Sequence, residues 1–129
     1  MLADSKAFSS FAVNDLAAAK QFYGETLGLR VSDVEVMPGL VTLHLAGDRD
    51  TLVYEKPDFV PATYTVLNFP VPDIEAAVDE LTERGVSFER YDAFAADTDD
   101  KGILRGGGGP PIAWFTDPAG NVLSVLQDD

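Results

Sequence analysis

The chain's only histidine, His44, lies in the run VTLHLAG at 41–47. Imidazole is the ordinary side chain that titrates nearest neutral pH, so proton-transfer chemistry is sought here first. Strands read at 40–46 and 51–56, joined by the turn GDRD at 47–50. That pairing would set His44 across from Val53 and diagonal to Glu55, all on one face. His44 and Glu55 would then be an acid–base couple, or simply a hydrogen-bonded pair at a strand edge. One imidazole and one carboxylate make a poor metal site. No Ser-His-Asp order is legible, because the histidine has no obvious nucleophile within reach. The absence of cysteine excludes thiolate chemistry and disulfides.

Other side chains offer binding rather than reaction. Tyr54, Tyr64, Phe94 and Trp114 are stacking surfaces for a flat or cationic ligand, or else core filler. Trp114 is the best of them, being near the glycine-rich loop. Strand alternation sends Trp114 and Phe115 to opposite faces, so only one can line a cavity. Ser10, Asn68 and Ser124 offer hydrogen bonds. The stretch AFAADTDDKGILRGGGGP at 93–110 reads as a long loop, best suited to a flexible lid. Its glycine run lacks the Lys-Ser/Thr of a phosphate loop and meets Pro110-Pro111 instead of a helix. Arg105 in that loop either clamps an anionic ligand or pairs with Asp97, Asp99 and Asp100.

The elements that must carry these residues come in two copies. Phe11-Ala12-Val13-Asn14-Asp15-Leu16 is answered by Phe69-Pro70-Val71-Pro72-Asp73-Ile74, and Leu27-Gly28-Leu29 by Arg84-Gly85-Val86. Each half reads strand, helix, then three strands. Strands fall at about 6–13, 29–36, 40–46 and 51–56, then at 63–71, 86–92, 111–116 and 121–127. Helices fall at about 15–26 and 73–84, started by Asp15 and Asp73 and stopped at Gly28 and Gly85. Module one is 1–56, a linker spans 57–62, and module two is 63–129 of a single domain. Ser9, Phe11 and Val13 would face a helix, leaving Phe8, Ser10 and Ala12 on the other face. Leu67, Phe69 and Val71 do the same in the second copy, leaving Val66 and Asn68. In the last strand Leu123 and Val125 pack inward, leaving Val122, Ser124 and Leu126. The second face is therefore largely apolar with a few small polar groups, which suits an organic ligand.

Composition bounds the partners. The 129 residues hold 22 acidic against 9 basic side chains, a net charge of −13. Such a surface repels nucleic acid and anionic lipid. It attracts cations, or serves solubility and salt tolerance alone. No stretch approaches the roughly 18–20 apolar residues of a membrane span. The opening MLADSKAFSS lacks an export pattern, so a cytoplasmic location is expected.

The duplication resembles the vicinal-oxygen-chelate superfamily of glyoxalase I, extradiol dioxygenases and bleomycin-resistance proteins. The resemblance rests on FAVNDLAAAKQFYGETLGLRV (11–31), FPVPDIEAAVDELTERGVSFE (69–89) and WFTDPAGNVLSVLQ (114–127). It implies an α+β fold in which two βαβββ modules form curved mixed sheets around a cavity. It also implies a homodimer. In metal-using relatives, ligands stand where this chain has Phe8, Val66 and Ser124, with a fourth place near Val53. None of these side chains suits a catalytic metal.

The expected function is therefore metal-independent binding of a small organic molecule, a cationic one among the candidates. No cofactor and no metal are expected. The candidate lining is Phe8, Ser10, His44, Val53, Tyr54, Val66, Asn68, Arg105, Trp114 and Ser124, with Glu35, Asp58 or Asp92 as acidic rim. The alternative is a lyase, isomerase or dioxygenase with a non-standard site at His44 and Glu55. A ligand-free interaction module is a third reading.

Overall fold

Asp15 and Asp73 start the two long helices in the same way. Each has an extended backbone and a carboxylate that accepts an amide hydrogen three residues on, from Ala18 at 3.2 Å and from Ala76 at 3.1 Å. This satisfies one of the amides that every helix start leaves without an intrahelical partner. A second is satisfied from far away in sequence. Leu16 N–H donates to Glu55 Oε1, and Ile74 N–H to Gln127 Oε1, each at 3.0 Å. Glu55 and Gln127 end the last strand of their respective halves, so the repeat extends to how each helix is fastened to its sheet.

The structure is a computed structural model describing residues 1–128. The chain forms two compact units, Met1–Pro61 and Ala62–Asp129. In the first, a short 3-10 turn (Leu2–Asp4) precedes β1 (Ser9–Val13), α1 (Leu16–Gln21), β2 (Arg30–Asp33), β3 (Leu40–His44) and β4 (Thr51–Glu55). The sheet order is β1-β4-β3-β2, with β1 parallel to β4 and the other pairs antiparallel. In the second, β5 (Thr65–Val71), α2 (Ile74–Glu83), β6 (Ile112–Thr116) and β7 (Val122–Gln127) give the order β5-β7-β6. Again β5 runs parallel to β7, and β6 is antiparallel to it. Both sheets are mixed, and the second repeats the order of the first without its outermost strand.

The face toward the helix carries the core in each unit. Val13, Ala19, Tyr23, Val41, Leu43 and Val53 are buried in the first. Ile74, Val78, Ala113, Phe115, Leu123 and Val125 are buried in the second. Each fully buried Val, Leu, Ile or Phe contributes roughly 1.5–3 kcal/mol.

Three elements depart from the sequence reading. The first helix does not run regularly to 26. It passes at Phe22–Thr26 into a π-turn, closed by Leu27 N–H on the Phe22 carbonyl at 2.9 Å. The turn seats Tyr23 in the core, edge-on to Phe11 and Phe22 at 5.8 and 5.2 Å between ring centroids. The strand expected at 86–92 is a single bridge, Phe88 to Phe115, plus the bond from Glu89 N–H to the Trp114 carbonyl at 2.7 Å. Beyond Glu89 the chain turns off into a 3-10 helix, Asp92–Asp97.

The stretch 93–110 is not one loose loop. Thr98 bridges Leu104, Leu104 bridges Ile112, and Ile103 and Leu104 are buried. Asp99 ties the turn, accepting from the amides of Lys101 and Ile103 at 2.9 Å each. Its carboxyl is held below the usual aspartate range. Burial opposes this, but the bonds from Ile103, Arg105 and Lys101 outweigh it. Gly102 sits at φ +88, and a Cβ there would meet the Phe88 Cβ at 3.0 Å, so only glycine fits. The glycine run 106–109 stays exposed.

Candidate functional site

The register between β3 and β4 decides which side chains can work together. Val41 pairs with Val53 and Leu43 with Thr51. The connection is longer than a four-residue turn. Arg49 N–H reaches back to the Leu45 carbonyl at 3.4 Å, and Gly47 and Asp48 take positive φ. The expected pairing of His44 with Val53 is therefore corrected by an odd number of residues, which reverses faces. Val53 packs toward α1 and is 0% exposed, so it lines no open face. Glu55 shares that side and is bound to α1. Tyr54 and Leu52 take the opposite, open face. His44 also stands on the open face, beside Arg30, its partner on β2. The structure therefore does not bring His44 and Glu55 together.

What it brings to His44 instead is Ser32 and Asp50. Ser32 lies diagonal to His44 on β2, with Oγ 2.7 Å from His44 Nε2. The other ring nitrogen, Nδ1, lies 3.1 Å from Asp50 Oδ1. Sequence reasoning missed both partners. The strand at 30–33 was legible, but its faces were left unassigned, and Asp50 was read only as a turn residue.

In the second unit, Asn68, Ser124 and Trp114 form a row across three neighbouring strands. Ser124 is 0% exposed and donates Oγ–H to Asn68 Oδ1 at 2.6 Å. Asn68 is itself exposed. The Trp114 ring is stacked by Phe94 at 5.7 Å and 17° and met edge-on by Tyr91 at 5.5 Å and 71°. Tyr91 was not foreseen. Burial first, and then the negative charge of Glu89, push its phenol above the usual tyrosine range. It therefore remains a hydrogen-bond donor at neutral pH.

The remaining sequence candidates scatter. Phe8 precedes β1 and is 68% exposed, and Ser10 is exposed on β1. Val66 falls at a β-bulge, where the register shifts between Thr65 and Leu67. Tyr64 is exposed. Arg105 donates from Nε to Asp99 at 3.2 Å and approaches Glu75 of α2 at 3.7 Å, so its guanidinium is engaged by carboxylates. A groove of about 370 Å³ between α2 and the 86–101 segment, floored by Val86 and Phe88, contains none of the candidates.

The fold of metal-using relatives implies a divalent ion, and the donor set here does not fit one. Phe8 and Val66 carry no donor atom, and the Ser124 hydroxyl is committed to Asn68. Among the described residues, no three His, Asp or Glu side chains are grouped to hold a metal.

The family model for the Glyoxalase/Bleomycin resistance protein/Dioxygenase superfamily matches residues 7–125. The chain belongs to that superfamily, and its α+β architecture is the glyoxalase/bleomycin-resistance fold. Solved structures agree. A glyoxalase family protein from Bacillus anthracis is 19% identical with a TM-score of 0.73, covering 95% of this chain and 93% of that one. A superfamily member from Sphaerobacter thermophilus is 25% identical with a TM-score of 0.71, covering 95% and 97%. TnmS3, an antibiotic binding protein from Streptomyces sp. CB03234, is 23% identical with a TM-score of 0.70, covering 98% of each chain. No curated protein sequence matches the chain. No helix among the described residues is long and apolar enough to cross a membrane.

Proposed function

We propose that this protein holds a small organic molecule through aromatic and polar contacts, without a metal ion. The observation that carries the reading is the partly exposed aromatic cluster on the β5-β7-β6 sheet. There Trp114 is flanked by Phe94 and Tyr91, beside a Ser124–Asn68 hydrogen bond. A planar ligand stacks on such a cluster. The amide of Asn68 and the phenol of Tyr91 supply donors that fix its orientation. The net charge of −13, with Glu89 and Asp92 flanking Tyr91 in sequence, favours a cationic ligand. The antibiotic-binding structural relative lends support to the same use of the fold. At this face the ligand is held, not converted. In this reading the protein works in the cytoplasm as a homodimer, and sedimentation equilibrium measures the second point.

Trp114 is the only tryptophan, so its fluorescence reports this face alone. The test is a titration with bleomycin and with planar cationic acridine dyes, in the presence of a metal chelator. Saturable quenching in wild type, together with equilibrium dialysis showing that Trp114→Ala no longer binds the same ligands, supports the reading. Binding that needs an added divalent metal, or that survives Trp114→Ala unchanged, overturns it.

A further inference from the structure

We propose that Ser32, His44 and Asp50, on the open face of the first unit's sheet, form a nucleophilic site that hydrolyses short carboxylic esters. The proposal does not rest on ligand binding at Trp114. The three side chains are connected in the order that activates a serine. Asp50 Oδ1 lies 3.1 Å from His44 Nδ1, and His44 Nε2 lies 2.7 Å from Ser32 Oγ. A carboxylate at Nδ1 holds the proton on that nitrogen, which leaves Nε2 as acceptor for the serine hydroxyl. The three come from β2, β3 and the turn before β4. Their assembly follows from the same hairpin register that takes His44 away from Glu55.

Two features can receive the negative charge that develops on an attacked carbonyl oxygen. Arg30 stands opposite His44 and two residues from Ser32 on the same face, and makes no ion pair among the described residues. The second is the amide of Asp33, next to the nucleophile. Val34 N–H bonds the Leu40 carbonyl, so antiparallel alternation turns the Asp33 amide away from β3 toward the outer edge of this edge strand. Preorganised donors of this kind stabilise an oxyanion. Ser32 is exposed, so a short ester reaches it from solvent.

The step balances with water as co-reactant. Ser32 Oγ bonds to the carbonyl carbon while its proton passes to His44 Nε2. The carbon–oxygen bond to the alcohol then breaks, and Nε2 returns the proton to the leaving oxygen. Water attacks the acyl-serine, Nε2 takes its proton, the carboxylic acid departs and Ser32 Oγ is reprotonated. Asp50 is a positioning residue throughout.

The test uses the full chain, p-nitrophenyl acetate, and a fluorophosphonate that labels activated serines. Wild type is expected to add one phosphonyl group, mapped to Ser32 by mass spectrometry. It is expected to hydrolyse the ester about 100-fold faster than Ser32→Ala or His44→Ala, the usual scale for positioned acid–base help. Asp50→Asn is expected to lower kcat with little change in KM, and Asp50→Glu to restore part of it. Ser32 is an exposed strand residue, so Ser32→Ala folds, and an unchanged circular dichroism spectrum and urea midpoint confirm it. An unlabelled wild type, or turnover that persists in Ser32→Ala, overturns the proposal.

Discussion

Replacing Ser124 by glutamate puts a carboxylate where metal-using relatives carry one, and the structure predicts damage, not a restored site. Ser124 is fully buried, in a row with Asn68 and Trp114, and that row contains no cation. The substitution removes the Oγ–Asn68 hydrogen bond, a loss of about 1 kcal/mol. It also forces a longer side chain into packed space, at about 1–3 kcal/mol. Wild type should therefore exceed Ser124→Glu by about 2–4 kcal/mol before charge is counted, whereas Ser124→Ala should lose only about 1 kcal/mol. Charge then adds a pH dependence. Burial without a cation raises the folded-state pKa of the new carboxyl above its unfolded value of about 4.3. Below that value the group is neutral in both states and adds no penalty. As pH rises through it, the unfolded state ionises first and the variant loses further stability. Urea denaturation at pH 4 and pH 7 measures both parts. The reasoning fails if Ser124→Glu is as stable as wild type at pH 7, or if it takes up a divalent ion stoichiometrically despite Phe8 and Val66.

Four further outcomes follow from the geometry. Glu55→Ala and Gln127→Ala each remove a bond to a helix-start amide and should each lower stability by about 0.5–1.5 kcal/mol in urea melts. Gly102→Ala should lower it by about 1–2 kcal/mol from left-handed backbone strain alone, with more from the contact on Phe88. Asp99→Ala should speed amide exchange at Ile103 and Leu104. In wild type the same anchoring persists above the ordinary aspartate range and is lost as pH falls through the lowered value of Asp99. Phe94→Ala should weaken any ligand that quenches Trp114, through a lost stacking pair of about 0.5–1.5 kcal/mol.

The fold was legible because its signals are local and doubled. Asp15 and Asp73, then Gly28 and Gly85, mark both helices, and alternation marks the strands between them. Gly28 and Gly85 do adopt positive φ, at 74° and 92°. The site was less legible because it depends on register. The turn GDRD looked complete in itself, yet the connection reaches back to Leu45. That shift buries Val53, sends Glu55 to α1 and leaves His44 facing Ser32 and Asp50. No local pattern carries that information. The order in 98–104 was hidden for a related reason. An aspartate-rich stretch reads as solvated, and the amides that Asp99 binds are backbone groups with no signature of their own. Tyr91 was missed because the residues around it read as a continuing strand, which would have kept it in a ladder instead of against Trp114.

The claim that a ligand is held on the Trp114 face without a metal is tested most directly by one titration. Protein stripped of metal by chelation is titrated with an acridine dye while Trp114 fluorescence is followed, and the titration is repeated with added divalent metal. Saturable quenching with the same midpoint in both series is predicted. Quenching that appears only with stoichiometric metal would contradict the account.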